Sequence, residues 1–151
     1  VYKRQILPPG SQVDYKLFRE HHKNKHFDQA LGIYGGEWMA DYPYAEWALE
    51  LREDLTRMYL ECLNTRTQIL LKNNNPSEAL ESCRRILALE PWNELAAQMA
   101  VEACLLIGDK AGAIRIFRNL VKALESELGL EPSPEIKQKI SDIAVESRET
   151  A

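Results

Sequence analysis

The sequence predicts an all-α fold, a superhelical stack of three to four helical hairpins closed by a capping helix at the C-terminal end. Three observations carry this expectation. Apolar residues recur at steps of three and four, as in Ala48, Leu51, Leu55, Met58, Cys62 and Ile69. Short breakers such as Asn73-Asn74-Asn75-Pro76 and Gly108-Asp109 separate these runs. The chain also matches itself between positions 74 and 108, a spacing of 34. Asn74-Asn75-Pro76-Ser77-Glu78-Ala79-Leu80 aligns with Gly108-Asp109-Lys110-Ala111-Gly112-Ala113-Ile114, and Cys83, Arg84 and Ile86 then align with Phe117, Arg118 and Leu120.

The elements follow in order. Val1 to Ile6 alternates weakly and reads as a strand or extended tail, stopped by Leu7-Pro8-Pro9-Gly10. Asp14 is placed to cap a helix from Tyr15, with Leu17 and Phe18 on its apolar side. Lys23-Asn24-Lys25 interrupts it, and a second helix covers about Phe27 to Tyr34 before Gly35-Gly36. An aromatic loop spans Glu37 to Tyr44. One long helix then covers Ala45 to Lys72, its periodicity broken only at Thr65. Ser77, in a capping position, opens a helix to Leu89, which Pro91 closes. Glu94 to Ile107 and Ala111 to Glu127 form the next hairpin, turning at Gly108-Asp109. After a loop at Leu128-Gly129-Leu130-Glu131-Pro132, Pro134 stands in the first turn of the last helix, where its missing N–H costs nothing. Ile136, Ile140 and Ile143 give that helix a single apolar stripe, suited to capping a stack.

The 34-residue period, the alanines in the second helix and the closing Pro91 resemble the tetratricopeptide repeat (TPR). Ala79 and Ala113 share one slot, where a small side chain lets paired helices approach closely. Cys83 and Phe117, then Ile86 and Leu120, fill the next core layers. The copies have diverged: Thr67 and Val101 stand where a smaller residue is usual, and Glu125 replaces the closing proline. A single hairpin cannot bury its apolar face alone, so such units stack, and stacks of this kind bind partners.

A chain of 151 residues suffices for one domain with a sizeable core. Its net charge of -4 argues against nucleic-acid binding by the whole chain, because phosphate contacts need a basic surface. Lys3, Arg4, Lys16, Arg19, Lys23 and Lys25 nevertheless outweigh Asp14, Glu20 and Asp28 near the N-terminus. That end reads as a solvated basic face, with a nearby anion as the alternative. The three cysteines, Cys62, Cys83 and Cys104, form no CxxC pair and suggest a reducing, cytoplasmic setting. No membrane span or signal peptide is expected, and the start at Val1 suggests a piece of a longer protein. No nucleophile elbow, phosphate loop, dinucleotide fingerprint or zinc-protease motif occurs, so no enzyme and no cofactor are expected.

A more specific resemblance comes from two signatures flanking the repeats. Ala30-Leu31-Gly32-Ile33-Tyr34-Gly35-Gly36-Glu37-Trp38-Met39 leads into Tyr44-Ala45-Glu46-Trp47 and Arg52. Glu127-Leu128-Gly129-Leu130-Glu131-Pro132-Ser133-Pro134-Glu135 closes the chain, and Leu87-Ala88-Leu89-Glu90-Pro91-Trp92-Asn93-Glu94 lies between the repeats. From about Val13 to Ile140 the sequence resembles the bacterial transcriptional activator domain of SARP-type regulators, a TPR-like module. The resemblance implies a regulatory module following an OmpR-type winged-helix DNA-binding domain, with Tyr2 to Ile6 similar to the last strand of that neighbour. Residues 1–12 are then a tail or linker and residues 13–151 the module. The implied partners are proteins, either a second copy or RNA polymerase subunits, with DNA reached only through the missing N-terminal domain. The alternative is a free-standing TPR adaptor or small-ligand sensor.

Candidate binding residues follow from the repeat register. Glu61, Asn64, Gln68 and Leu71, then Leu95, Gln98, Glu102 and Leu105, take the groove-facing slots of the first helices. Asn64, Gln68, Gln98 and Glu102 are suited to hydrogen-bond a peptide or small ligand, against the plainer reading of solvated surface. Trp38, Tyr42, Tyr44 and Trp47 suit either a partner hot spot or the packing of the long loop, with Arg52 bonding loop carbonyls or Asp41. His21, His22 and His26 read as a surface cluster, because adjacent histidines point to different helix faces and leave only two ligands. Cys83 and Cys104 occupy core slots and read as small buried hydrophobes.

Overall fold

The computed structural model describes residues 12–33 and 45–149. Among these, all regular structure is helical: α1 (Gln12–Lys23), α2 (Phe27–Ile33), α3 (Glu46–Lys72), α4 (Pro76–Leu89), α5 (Glu94–Ile107), α6 (Lys110–Ala123) and α7 (Pro134–Glu149). A π-helical turn, Leu124–Leu128, continues α6. The chain divides into two compact units between Arg66 and Thr67, within α3. The expected N-terminal strand and the whole of the aromatic loop lie outside the described residues.

In the first unit α1 and α2 form a hairpin. Its turn passes through Lys25 at φ 59, where the left-handed conformation lets Lys25 N and His26 N reach back to the carbonyls of His22 and His21 at 3.0 and 2.8 Å. The helix begins at Gln12, so Asp14 lies in its first turn and does not stand before it as a cap. Phe18, Ala30, Ala48, Leu55 and Leu63 are fully buried. His22 Nε2 meets Glu61 Oε2 at 2.8 Å, and Arg66 Nε donates to Asp28 Oδ1 at 3.2 Å, so each hairpin helix has a polar tie to α3. Such exposed pairs add little stability, and the apolar contacts dominate. Ile69, expected in the core stripe of α3, is exposed. The buried positions run through Tyr59, Leu63 and Thr67, because a 3.6-residue repeat rotates the face along a long helix.

In the second unit α4 pairs with α5 and α5 with α6. Helix α4 starts one residue earlier than expected. Pro76 occupies its first turn with Asn75 before it, so Ser77 is an exposed helical residue and no cap. The caps of the next two helices are side-chain hydrogen bonds. Asn93 Oδ1 accepts from Ala96 N at 2.9 Å, and Asp109 Oδ1 from Gly112 N at 2.8 Å. Gly108, at φ 87, ends α5 in the left-handed conformation that glycine adopts without a Cβ clash.

The core is the one that the repeat alignment describes. Ala79, Cys83, Ala113, Val101 and Ile86 are fully buried and Leu120 nearly so, whereas Phe117 is only half-buried and packs from the side. The π-helical turn places Leu124 beside Ala97, Leu120 and Ile136. Gly129, at φ 63, then ends it. Ser133 N donates to Glu94 Oε2 at 2.9 Å, tying the loop before α7 to the start of α5. Ile136 and Ile143 on α7 are buried and Ile140 half-buried, so that single stripe covers the unit's exposed edge.

Candidate functional site

Helix α5 is apolar almost all round, which makes its one uncovered face informative. Ala96, Ala97, Met99, Ala100, Val101, Ala103 and Cys104 are buried. Leu95, Gln98, Glu102 and Leu105 follow at steps of three, four and three, which is one stripe of a helix. Leu95 is 49% exposed and Leu105 37%; Glu102 is exposed and Gln98 half-buried between them. The stripe therefore has a polar centre with a leucine at each end. Leu106 and Ile107 extend its apolar end and are also exposed. The repeat register leaves these two out, although the sequence shows three consecutive large apolar residues before a glycine.

The other candidates stand as follows. Gln68 is exposed on α3. Beside it Thr67 is fully buried and hydrogen-bonds the Cys83 thiol, which explains how a polar residue fits a core slot. Asn64, in the first unit, is half-buried, and its Oδ1 has no hydrogen-bond partner among the described residues. Trp47 is exposed, whereas Trp38, Tyr42, Tyr44 and Asp41 lie outside the described residues. The structure thus puts Gln98 and Glu102 on one face with Leu95 and Leu105, and of the aromatic set only Trp47 falls within the described residues.

Nucleophilic chemistry finds no ready group in the cysteines. Burial pushes the Cys83 thiol up to about 12, against the lowering effect of its Thr67 hydrogen bond. Burial and the Glu61 charge push Cys62 up to about 11. Cys104 is raised by burial and by Asp109, with Arg84 and Arg115 opposing. All three stay protonated at neutral pH and are inert as nucleophiles. Among the described residues no three His, Cys, Asp or Glu side chains converge on a possible metal position. His22 is engaged with Glu61, and the His21 and His26 rings lie 5.8 Å apart. No helix among the described residues is long and apolar enough to cross a membrane.

Comparison with known proteins adds the functional context. The family model of the bacterial transcriptional activator domain matches residues 16–143. The chain is 26% identical over 111 residues to the regulatory protein AfsR of Streptomyces griseus, covering 74% of this chain and 11% of that protein. To the regulatory protein AfsR of Streptomyces coelicolor it is 28% identical over 115 residues, covering 74% of this chain and 12% of that one. The chain thus corresponds to about a tenth of the length of these relatives. No solved structure gives a significant match.

Proposed function

Because the chain belongs to the bacterial transcriptional activator domain family, and so is a regulatory domain of transcription regulation, we propose that it works through protein–protein contacts. In this reading it is the non-catalytic part of an activator. Its partner is a second copy of the regulator or a subunit of RNA polymerase. A winged-helix domain preceding residues 1–12 supplies the DNA contact, and residues 13–151 supply the regulatory surface.

The observation that carries this reading is the α5 stripe. Two leucines flank Gln98 and Glu102 on a helix whose remaining faces are mostly occupied by core packing, up to the exposed Leu106 and Ile107 at its end. Exposed leucines beside an amide and a carboxylate suit a protein contact, because the apolar part gains from burial and the polar groups fix orientation. Gln68, on an exposed position of α3, offers a further amide.

The test is made in the parent regulator with a promoter reporter. Deleting residues 13–151 should abolish activation while leaving promoter binding by the remaining DNA-binding domain intact. Replacing Leu95 and Glu102 together by lysine and alanine should lower activation without changing the thermal midpoint much, since both are exposed. Full activation by the deleted parent would refute the proposal.

A further inference from the structure

A pocket of about 400 Å³ opens between α4 and α6, away from the α5 stripe. Its apolar lining comes from Leu87, Ile116, Leu120 and Cys104, with Ala88 and Pro91 on the α4 side. Arg84 and Arg115 line the same pocket from opposite helices, and their charges both act on the Cys104 thiol. Asp109 is there too, but its carboxylate already accepts the Gly112 N–H at 2.8 Å.

The cationic character continues beyond the pocket. Arg115, Arg118 and Lys122 follow at steps of three and four on the exposed side of α6, and a shallower depression lined by all three adjoins the first pocket through Arg115 and Asn119. Among the described residues none of these three cations forms an ion pair; Arg84 reaches Glu81 only at 3.9 Å. A chain with a net charge of -4 thus presents three cations without ion pairs beside an apolar hole, with Asp109 the one acidic group in its lining among the described residues. From Arg115 to Lys122 the run rises roughly 10 Å along the helix, more than one anionic group spans.

We infer that the α4–α6 pocket docks a segment of a partner protein that inserts one apolar side chain and lays acidic residues along Arg115, Arg118 and Lys122. The inference rests on the protein-contact reading above and specifies a second surface for it, with a defined ligand chemistry. The apolar floor accounts for an anchor, and guanidinium groups pair carboxylates bidentately. Four cations beside an apolar hole suit an acidic peptide better than a nucleic acid, whose backbone would leave the hole unfilled.

The probe is a short fluorescent peptide of glutamates around one phenylalanine, titrated by anisotropy against the 151-residue chain. It should bind in a salt-sensitive way. Arg115→Glu with Arg118→Glu should weaken binding roughly tenfold or more, and Ala88→Phe, which plugs the pocket, should weaken it without altering charge. Arg57→Glu, on exposed α3, should leave it unchanged. Circular dichroism reports whether each variant keeps its helices. Absence of binding, equal binding of the peptide with alanine for phenylalanine, or equally tight binding of a short DNA duplex that the double reversal abolishes would each overturn the inference. In the parent regulator, loss of activation on deleting residues 13–151 but not on the double reversal would leave the protein-contact reading standing and remove this surface from it.

Discussion

The Asp109 carboxylate that accepts the Gly112 N–H at 2.8 Å also fills the space that a side chain on Gly112 would need. The three atoms nearest to a Cβ built there all belong to Asp109. The cap and the absence of a side chain three residues later are therefore one arrangement. Asp109→Ala should cost about 1 kcal/mol in urea denaturation, the usual worth of a side-chain cap. Gly112→Ala should fail to give the gain that alanine normally brings to a helix interior, because it displaces the cap. In the Asp109→Ala background the same substitution should become neutral or stabilising, and a double-mutant cycle measures the difference. Equal effects in both backgrounds would show the two positions to be independent.

Ala79 is fully buried in the cluster that holds Leu80, Cys83, Met99 and Ala100. Ala79→Leu should destabilise by roughly 1–3 kcal/mol, through overpacking where α4 meets α5. Ala79→Gly should also destabilise, by about 1 kcal/mol, through helix propensity. Urea denaturation midpoints of the two variants check both figures, and a leucine variant as stable as the wild-type chain would contradict the overpacking argument.

Gly108 ends α5 at φ 87 with no atom within 4 Å of a built Cβ. The constraint there is the backbone and not space. Gly108→Ala should therefore cost about 1 kcal/mol, and Gly108→Asn less, because asparagine tolerates the left-handed region. Equal melting points for the wild-type and alanine chains would contradict the backbone argument.

The buried thiols set a stability slope at alkaline pH. Cys83 titrates at about 12 in the folded chain and at the ordinary thiol value of 9.0 when unfolded. Below pH 9 both states hold the proton and stability is unaffected. Between about 9 and 12 the unfolded state binds fewer protons, so stability falls as pH rises, by up to about 1.4 kcal/mol per pH unit for each such thiol. Urea midpoints at pH 8 and pH 10 should show this fall, and Cys83→Ala should make it shallower while lowering stability at both pH values.

Much of this molecule was legible in the sequence because helical hairpins are local structures. The end of α5 and the start of α7 follow from Gly108 and Pro134, each acting through its own backbone within one turn. The burial of Ala79, Ala113, Cys83 and Leu120 follows from a repeat that puts equivalent residues in equivalent contacts. The family signatures on both sides of the repeats identified the class of regulator, and the family match bears that out. The misses are informative in the same way. Ser77 reads as a cap until Pro76 is seen to fit the first turn, and Ile69 reads as core until the long α3 rotates it outward. The aromatic loop signature carries the resemblance, yet most of it lies outside the described residues.

The sequence by itself determined the helices, their pairing by repeat and the family, since periodicity and capping act over a few residues. It also marked Gln98 and Glu102 as lying outside the core. Only the tertiary structure brought Arg84 on α4 and Arg115 on α6 to one pocket over Cys104. Their separation of 31 positions has no local signal (115 minus 84). Which face of a helix is covered depends on its neighbours, and that is settled only when α4 and α6 pack on either side of α5.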